Sequence, residues 1–363
     1  MTPNLNEEDI LQILDSTKLE LMGYIAKISK SRENKLITYS KNIFIPLTEI
    51  CRNDCGYCNF KKSPDDPEAI ILKSKEEVLA MLKEGEKYGC KEAMFAFGED
   101  ADEEETVRER LKEYGYDNMV DYIVDICQMT LDETTLLPHT NGGNFSYEAL
   151  SKLKEVNASM GLMLENSSER LMELPAHNKS PGKDPKLRLE TIENAGKLKI
   201  PYTTGILIGI GETHEEIAES LLAIRDLYDK YGHIQEIIIQ NFTPTKGIEM
   251  ADWPAPSLSD MIRCVTAAKL LFIDTDVSIQ VPPNLNHETA QTFLMCGCDD
   301  WGGVSPVTHD FVNPESPWPE IEELYNLTKD EGFELTERLC IYKKYINDEW
   351  LNKSLLEKTS KIL

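Results

Sequence analysis

Three cysteines fall within eight residues: Cys51, Cys55 and Cys58, in the run Cys51-Arg52-Asn53-Asp54-Cys55-Gly56-Tyr57-Cys58. The spacing is Cys-x3-Cys-x2-Cys, with no fourth cysteine nearby. A structural zinc site or an ordinary iron–sulfur cluster is closed by four protein ligands. Three thiolates on one tight loop can instead hold three irons of a cubane and leave the fourth iron open to a substrate or cofactor. The pattern therefore points to catalysis before structure. The competing reading is a zinc knuckle completed by a distant His or Cys.

Such a loop needs a frame, and the chain supplies an alternating one. An amphipathic helical segment covers residues 7–30, and a β-rich run at 42–47 ends at the cysteines. Strand-like apolar runs follow at 93–97, 136–139, 159–164, 202–208, 236–240 and 277–281, with a weaker eighth around Trp301. Helical patterns lie between them at 74–88, 119–129, 146–156, 185–198, 213–228, 259–272 and 286–295. Ser74 with Glu77, and Thr213 with Glu216, are capping-box pairs, and Asn286 is placed to cap the last helix. Residues 100–117 read as a charged insertion. Strands separated by helices imply a parallel sheet, and eight units imply a (β/α)8 barrel of the α/β class; an open doubly wound sheet is the alternative. The expected organisation is an N-terminal helical extension (1–40), a barrel (41–312) and an amphipathic C-terminal extension (313–363), entered through the Pro-rich stretch 313–319.

In a barrel, chemistry sits where strands end at the C-terminal face. Each apolar run here is followed by binding-type residues. These are the cysteine loop, then Gly98-Glu99, His139-Thr140-Asn141-Gly142-Gly143 and Glu165-Asn166-Ser167. Gly209-Ile210-Gly211-Glu212, Gln240-Asn241, Pro282-Pro283-Asn284 and Asp299-Asp300-Trp301-Gly302-Gly303 complete the series. The Gly-rich run at 205–211 lacks the Gly-x-Gly-x-x-Gly order and follows the fifth strand, which argues against a dinucleotide site.

Over nearly its whole length the chain resembles the radical S-adenosylmethionine (SAM) enzymes, which share the cysteine spacing. Within them it resembles the branch that holds biotin synthase, hydrogenase-maturation and methylornithine-type enzymes, and the deazaflavin synthases. The resemblance implies a TIM-like radical SAM barrel in which Cys51, Cys55 and Cys58 ligate a [4Fe-4S] cluster whose open iron chelates SAM. It implies that Tyr57 lies near the adenine, and that Gly98-Glu99 is the end of the Gly-Gly-Glu motif for the methionine amino group, with Phe97 in place of the first glycine. It also implies that Glu165 holds the ribose hydroxyls and that Arg188 pairs with the methionine carboxylate, a planar partner suited to a guanidinium. Gly205-x-Leu207-x-Gly209-x-x-Glu212 matches the motif whose backbone packs on adenine, which adds Gly209 and Glu212 to the cofactor set.

The stretch Cys296-Gly297-Cys298-Asp299-Asp300-Trp301-Gly302-Gly303-Val304-Ser305-Pro306-Val307-Thr308, with Val312-Asn313-Pro314-Glu315 and Pro317-Trp318-Pro319, narrows the resemblance to the CofG-type subunits of the 7,8-didemethyl-8-hydroxy-5-deazariboflavin synthases. A single triple-cysteine motif fits one subunit, not a fusion of two. The implied reaction takes a tyrosine-derived hydroxybenzyl–ribitylaminouracil adduct made by a companion, CofH-type radical SAM subunit. An electron donor reduces the cluster, a 5′-deoxyadenosyl radical abstracts hydrogen, and ring closure with loss of ammonia gives the deazaflavin. The alternative is a biotin- or menaquinone-type enzyme acting on another small molecule. Loop-end residues Asn141, Gln240, Asn241, Asn284 and Asp299 are the candidates for substrate hydrogen bonds, Trp301 and His139 for stacking, and His287 for moving protons.

Composition agrees with a small-molecule enzyme. The chain has 363 residues, 41% hydrophobic, with a formal charge of -26, so nucleic acid and anionic membranes are excluded as partners. Nine cysteines at low density are no disulfide framework, and no apolar run reaches membrane-spanning length; both suit the cytoplasm. Cys90, Cys127 and Cys264 read as core residues, and Cys296 and Cys298 with Cys340 are too sparse a set for a second cluster.

Overall fold

The computed structural model describes residues 5–32 and 35–363; residues 1–4, 33 and 34 of the expected N-terminal extension lie outside the described residues. Eight parallel strands close into a barrel: β1 (Leu36–Pro46), β2 (Glu92–Ala96), β3 (Leu137–Asn141), β4 (Ser159–Gly161), β5 (Tyr202–Ile208), β6 (Ile234–Asn241), β7 (Ser278–Gln280) and β8 (Asp300–Val304). Neighbours in sequence are neighbours in the sheet. The ring closes because β1 pairs with β2 at one edge (Ile43 opposite Ala93) and with β8 at the other (Ser40 opposite Gly303). Strands covered on both faces read as continuous apolar runs, and every residue of β5 is buried.

Helices α1 (Glu7–Leu14) and α2 (Lys18–Ser31) precede the barrel. The outer ring is α3 (Lys75–Lys87), α4 (Glu105–Tyr114), α5 (Met119–Glu133), α6 (Tyr147–Lys154), α7 (Pro185–Lys197), α8 (His214–Tyr231), α9 (Leu258–Leu271) and α10 (Ala290–Cys296). Both expected capping boxes form, Ser74 with Glu77 on α3 and Thr213 with Glu216 on α8. The apolar stripe of α1 (Ile10, Ile13, Leu14) is fully buried, on α8 and α9.

One local expectation gains detail and two are corrected. The charged stretch 100–117 is helical in α4, because Val107 and Leu111 give it one buried face. Asn286 caps no helix: it lies in a 3-10 turn, and α10 starts after Thr289. Asp300–Val304 is β8 itself, so the polar run at 299–303 is not a loop beyond the eighth strand.

After β8 the chain crosses the C-terminal mouth, forms α11 (Ile321–Asp330) and returns as β9 (Glu334–Arg338), which pairs with the first half of β1 below the barrel. α12 (Lys353–Ile362) ends the chain. This tail closes the N-terminal mouth. Leu339, Ile341, Tyr345, Trp350 and Leu355 pack with Leu137 and Ala158. The Cys340 carbonyl accepts from Ser159 Oγ (2.8 Å) and Gln235 Nε2 (2.9 Å). With the base sealed, access to the lumen is from the C-terminal face.

Candidate active site

The cysteine loop is pinned by its backbone. Gly98 N donates to Thr48 O (3.1 Å) and Arg52 N to Glu99 O (3.0 Å), joining the loop to the end of β2. A Cβ on Gly98 would stand 1.8 Å from the Ile50 carbonyl oxygen, so this approach requires glycine. Gly56 N donates to Pro175 O (3.2 Å), Asp54 N to Lys179 O (3.1 Å), and Cys58 N to Cys55 O (3.0 Å), which tightens the turn.

Cys51, Cys55 and Cys58 line one cavity of ≈ 290 Å³, and none is in a disulfide. Among the described residues, no three His, Cys, Asp or Glu side chains converge as ligands of a single metal ion. In a cubane each thiolate holds its own iron, so its sulfurs need not share one ion. The other six cysteines are buried and none lines this cavity. Burial pushes the Cys51 thiol up to about 11 and raises that of Cys58. Cluster binding must therefore displace protons from these groups.

Facing the thiols are two buried ion pairs. Glu99 Oε2 stands 3.4 Å from Arg188 Nη2, with both side chains about 95% buried. Glu99 Oε1 accepts from Asn144 Nδ2 (2.9 Å), and Arg188 Nη1 donates to the Met163 carbonyl. Arg188 Nε is buried and, among the described residues, has no hydrogen-bond partner. Glu165 Oε1 meets Lys183 Nζ at 2.7 Å. Glu165 holds φ at +64°, a left-handed backbone that a non-glycine residue rarely adopts, while its own N–H and C=O bond to Gly205 O and Leu207 N. That anchoring aims the carboxylate into the cavity. Tyr57 lines the same wall; its hydroxyl is 3.2 Å from His177 Nε2, and Lys183 Nζ is 5.8 Å from its ring. Burial, with the positive charges of Lys183 and Arg188, lowers His177 to about 2, so it is neutral.

These groups can complement a zwitterion that carries a sulfonium. A carboxylate (Glu99) and a guanidinium (Arg188) suit an amino acid, Glu165 suits vicinal hydroxyls, and the thiol wall suits an iron–sulfur cluster. Arg188 Nε, buried and unpaired, has donor capacity left for a carboxylate.

Gly209 and Glu212 stand apart from the cavity wall. Glu212 spends both carboxylate oxygens on the backbone, accepting from Gly209 N (2.7 Å) and Ile210 N (2.8 Å). It thereby closes a turn in which Gly209 has φ +96°. The motif was expected to pack its backbone on the adenine, and Glu212 holds the turn at its end. From this motif, Leu207 is the residue that reaches the cavity.

A second cavity, ≈ 170 Å³, lies in the barrel lumen. Asn141, Met163, Ile238, Gln240, Val312 and Asn313 line both, so the two adjoin. Asn241 is in the upper wall and receives Asn286 Nδ2 on its Oδ1 (2.7 Å). His139 faces the lumen with Nδ1 2.7 Å from Ser159 Oγ, and burial beside Arg338 lowers it to about 3. Trp301 borders the lumen but is fully buried, and its Nε1 donates to Thr328 Oγ1 (3.0 Å); it is a wall residue.

One expected substrate contact is corrected outright, and His287, the candidate for moving protons, takes the surface place its helix-start position suggests. Asp299 precedes β8, at the opposite barrel end from the site, where it binds Lys269 (2.7 Å) and Arg32 (3.2 Å). His287 is exposed and paired with Glu323 (3.0 Å). Sequence reasoning missed Lys183, His177 and Asn53, all on or near the cluster side. It also missed Asp310 above the lumen and the Glu236–Arg338 pair in it (2.7 Å). The Lys183 signal was absent because no strand ends there, and Arg338 comes from a strand outside the eightfold pattern.

Residues 45–224 match the radical SAM superfamily profile. The chain is 75% identical over 336 residues to a 7,8-didemethyl-8-hydroxy-5-deazariboflavin synthase of Methanobrevibacter smithii, spanning 93% of this chain and 99% of the relative. The same-named protein of Methanocaldococcus jannaschii is 53% identical, over 98% and 97% of the two chains. Among solved structures, the FeFe-hydrogenase maturase HydG from Carboxydothermus hydrogenoformans superimposes with TM-score 0.76 at 16% identity, covering 99% of this chain and 85% of that one. Methylornithine synthase (PylB) gives 0.71 at 17%, covering 92% and 94%. The last two speak for the fold.

Proposed function

The chain belongs to the radical SAM superfamily and, within it, to the 7,8-didemethyl-8-hydroxy-5-deazariboflavin synthases; from that premise we propose that it is the CofG-type subunit, a lyase that closes the deazaflavin ring. Its substrate is the tyrosine-derived hydroxybenzyl–ribitylaminouracil adduct, and ammonia is released. One observation carries this reading: a cavity walled by three cysteines and two buried ion pairs adjoins a second cavity in the lumen, with six residues lining both.

In this reading Cys51, Cys55 and Cys58 hold a [4Fe-4S] cluster, Glu99 and Arg188 bind the amino-acid end of SAM, and Glu165 binds its ribose. A cluster and SAM held there would supply one-electron cleavage chemistry, with methionine as the other fragment and a hydrogen-abstracting group directed at the substrate. The protein's share is placement. Arg188 and Glu99 fix the amino acid, and Tyr57, its hydroxyl held by neutral His177, walls the same cavity. The shared wall of Asn141, Met163, Ile238 and Gln240 sets where a substrate C–H meets the upper cavity. A radical site must exclude water and competing C–H bonds, and the sealed barrel base supports this. A CofH-type companion supplies the adduct, an electron donor reduces the cluster, and a reducing cytoplasm keeps the thiols available.

The test is anaerobic reconstitution with iron and sulfide, reduction, and addition of SAM. 5′-Deoxyadenosine should form. With the companion subunit, tyrosine and the ribitylated diaminouracil, a fluorescent deazaflavin should follow. A biotin- or menaquinone-type product, or a cluster whose spectrum SAM does not alter, would sink the proposal.

A further inference from the structure

Strand period sorts the lumen side chains into levels, because residues two apart share one face of a strand. On β6, Glu236, Ile238 and Gln240 line the lumen cavity, and on β2 Glu92 and Met94 do. β2 and β6 are four strands apart in a ring of eight, so these walls face each other. Met94 and Ile238 form an apolar level at mid-depth. Gln240 stands above them at the junction with the cofactor cavity, and Glu92 and Glu236 stand below. The lowest level is one connected polar group. Arg338 Nη2 donates to Glu236 Oε1 (2.7 Å) and to Asp300 Oδ1 (2.8 Å), and Thr203 Oγ1 donates to Glu236 Oε2 (3.2 Å). Glu92 Oε2 accepts from Ser40 Oγ, while no donor among the described residues meets its Oε1. Arg338 lines the same cavity and keeps 11% of its side chain accessible.

Carboxyls grouped around a guanidinium cost desolvation that an apolar plug would not, and here they border a cavity. A carboxyl bonds a hydroxyl in either charge state: it accepts when ionised, and it also donates when protonated. The floor therefore suits a polyol, whose flexible chain can meet groups spread over opposite walls; a planar ring needs its partners in one plane. Depth agrees. Glu236 lies two residues, roughly 7 Å along the strand, below Ile238. An extended ribityl chain spans about 7 Å from ring nitrogen to last hydroxyl, at the roughly 1.2 Å per bond of an extended chain. We propose that Glu92, Glu236 and Arg338 form a floor subsite for the substrate's ribityl chain. The substrate then stands upright in the lumen, with its pyrimidinedione ring between Met94 and Ile238 and its reacting end at the level of Asn141 and Gln240. The inference rests on the deazaflavin-synthase reading and deepens it. It also gives β9 a purpose beyond sealing the base, since that strand delivers Arg338.

The probes are two fluorescent rings, 7,8-didemethyl-8-hydroxy-5-deazariboflavin and the same deazaflavin with a methyl group in place of the ribityl chain. Each is titrated anaerobically into reconstituted protein and followed by fluorescence anisotropy, with SAM affinity measured on the same preparations. The ribityl compound should bind at least about tenfold more tightly than the methyl compound, as two or more buried hydrogen bonds imply. Glu92→Leu should weaken the ribityl compound about five- to tenfold, one hydrogen bond's worth, and leave the methyl compound and SAM as they were. Glu92→Gln, which still bonds hydroxyls, should restore part of that loss. If Glu92→Leu does not fold, Thr203→Val takes its place in the same comparison. The proposal is overturned if the unmodified protein binds the two rings alike or binds neither, or if the variant weakens both equally. A protein that makes deazaflavin from the adduct but binds both rings alike keeps the functional reading and loses the subsite. The expected pattern in a protein that makes no deazaflavin upholds the subsite and removes the functional reading instead.

Discussion

Glu165 is held at φ +64° with its backbone hydrogen-bonded on both sides, and its carboxylate is locked to Lys183 inside the cofactor cavity. Backbone strain of this kind persists where surrounding structure over-determines it. The same over-determination fixes Glu99. A Cβ on Gly182 would lie 1.7 Å from Glu99 Oε1 and 2.8 Å from Asn53 Nδ2, so Gly182→Ala must move that carboxylate and the Asn53 side-chain tip, while it meets no backbone of the cysteine loop. Cluster absorbance should survive and SAM affinity should fall by about ten- to a hundredfold, the loss of one charge-assisted hydrogen bond; equilibrium dialysis with labelled SAM reads it. Gly98→Ala acts differently, because its Cβ meets backbone 1.8 Å away. There the loop itself must shift, and both iron content and thermal stability should drop, by about 1–3 kcal/mol or more for the latter. Replacing any one of Cys51, Cys55 or Cys58 by Ala should abolish 5′-deoxyadenosine formation, and persisting turnover would contradict the cluster assignment.

At the level of elements, β9 delivers Arg338 into the lumen, where it lies 2.7 Å from Glu236 of β6 and also pairs with Asp300 of β8. Glu92 of β2 joins the group through Ser40. Two carboxyls share one guanidinium, with Glu92 held beside them by Ser40. Burial raises Glu236 to about 8, opposed by Arg338 and reinforced by Asp300, and burial raises Glu92 as well. The folded state therefore holds protons that the unfolded state has lost. The contribution of Glu236 to stability is full below its ordinary value near 4.5 and is lost as pH rises through about 8. Denaturation midpoints should fall between these limits, and Glu236→Gln should flatten the decline; an unchanged slope would argue against a protonated Glu236. Glu216 works in the opposite direction. Its bonds to Arg170 hold it down to about 2, so its contribution is lost on acidification from about 4.5 to about 2. The caps were legible in sequence because they are local: Ser74 with Glu77 and Thr213 with Glu216 need three residues of context. Asn286 was misread for the same reason. Its side chain bonds instead to Asn241 and Pro282, 45 and 4 residues away in sequence, and no local pattern records that choice.

For the whole molecule, the tail is the barrel's floor. Residues 339–363 cover the N-terminal mouth with Leu339, Ile341, Tyr345, Trp350 and Leu355, and their removal would expose the strand starts Leu137 and Ala158 to water. A chain ending at residue 338 should therefore lose cooperative thermal unfolding or precipitate, which light scattering during a melt would show. The order of strands, the cysteine loop at the end of β1 and the position of Glu99, Glu165 and Gln240 at strand ends were all determined by the sequence. Each follows from apolar period and from spacing along the chain, which short-range sterics and hydrogen bonding enforce. The tertiary structure decided which polar groups meet. It put Asp299 at the far end of the barrel by starting β8 at Asp300, turned Glu212 onto its own backbone, and brought Lys183 to Glu165 and Arg338 to Glu236. The Arg338–Glu236 pair comes from ring closure, where β1 pairs with β2, β8 and β9 at once; contacts across such a ring join residues far apart in sequence, and local physics carries no signal about them.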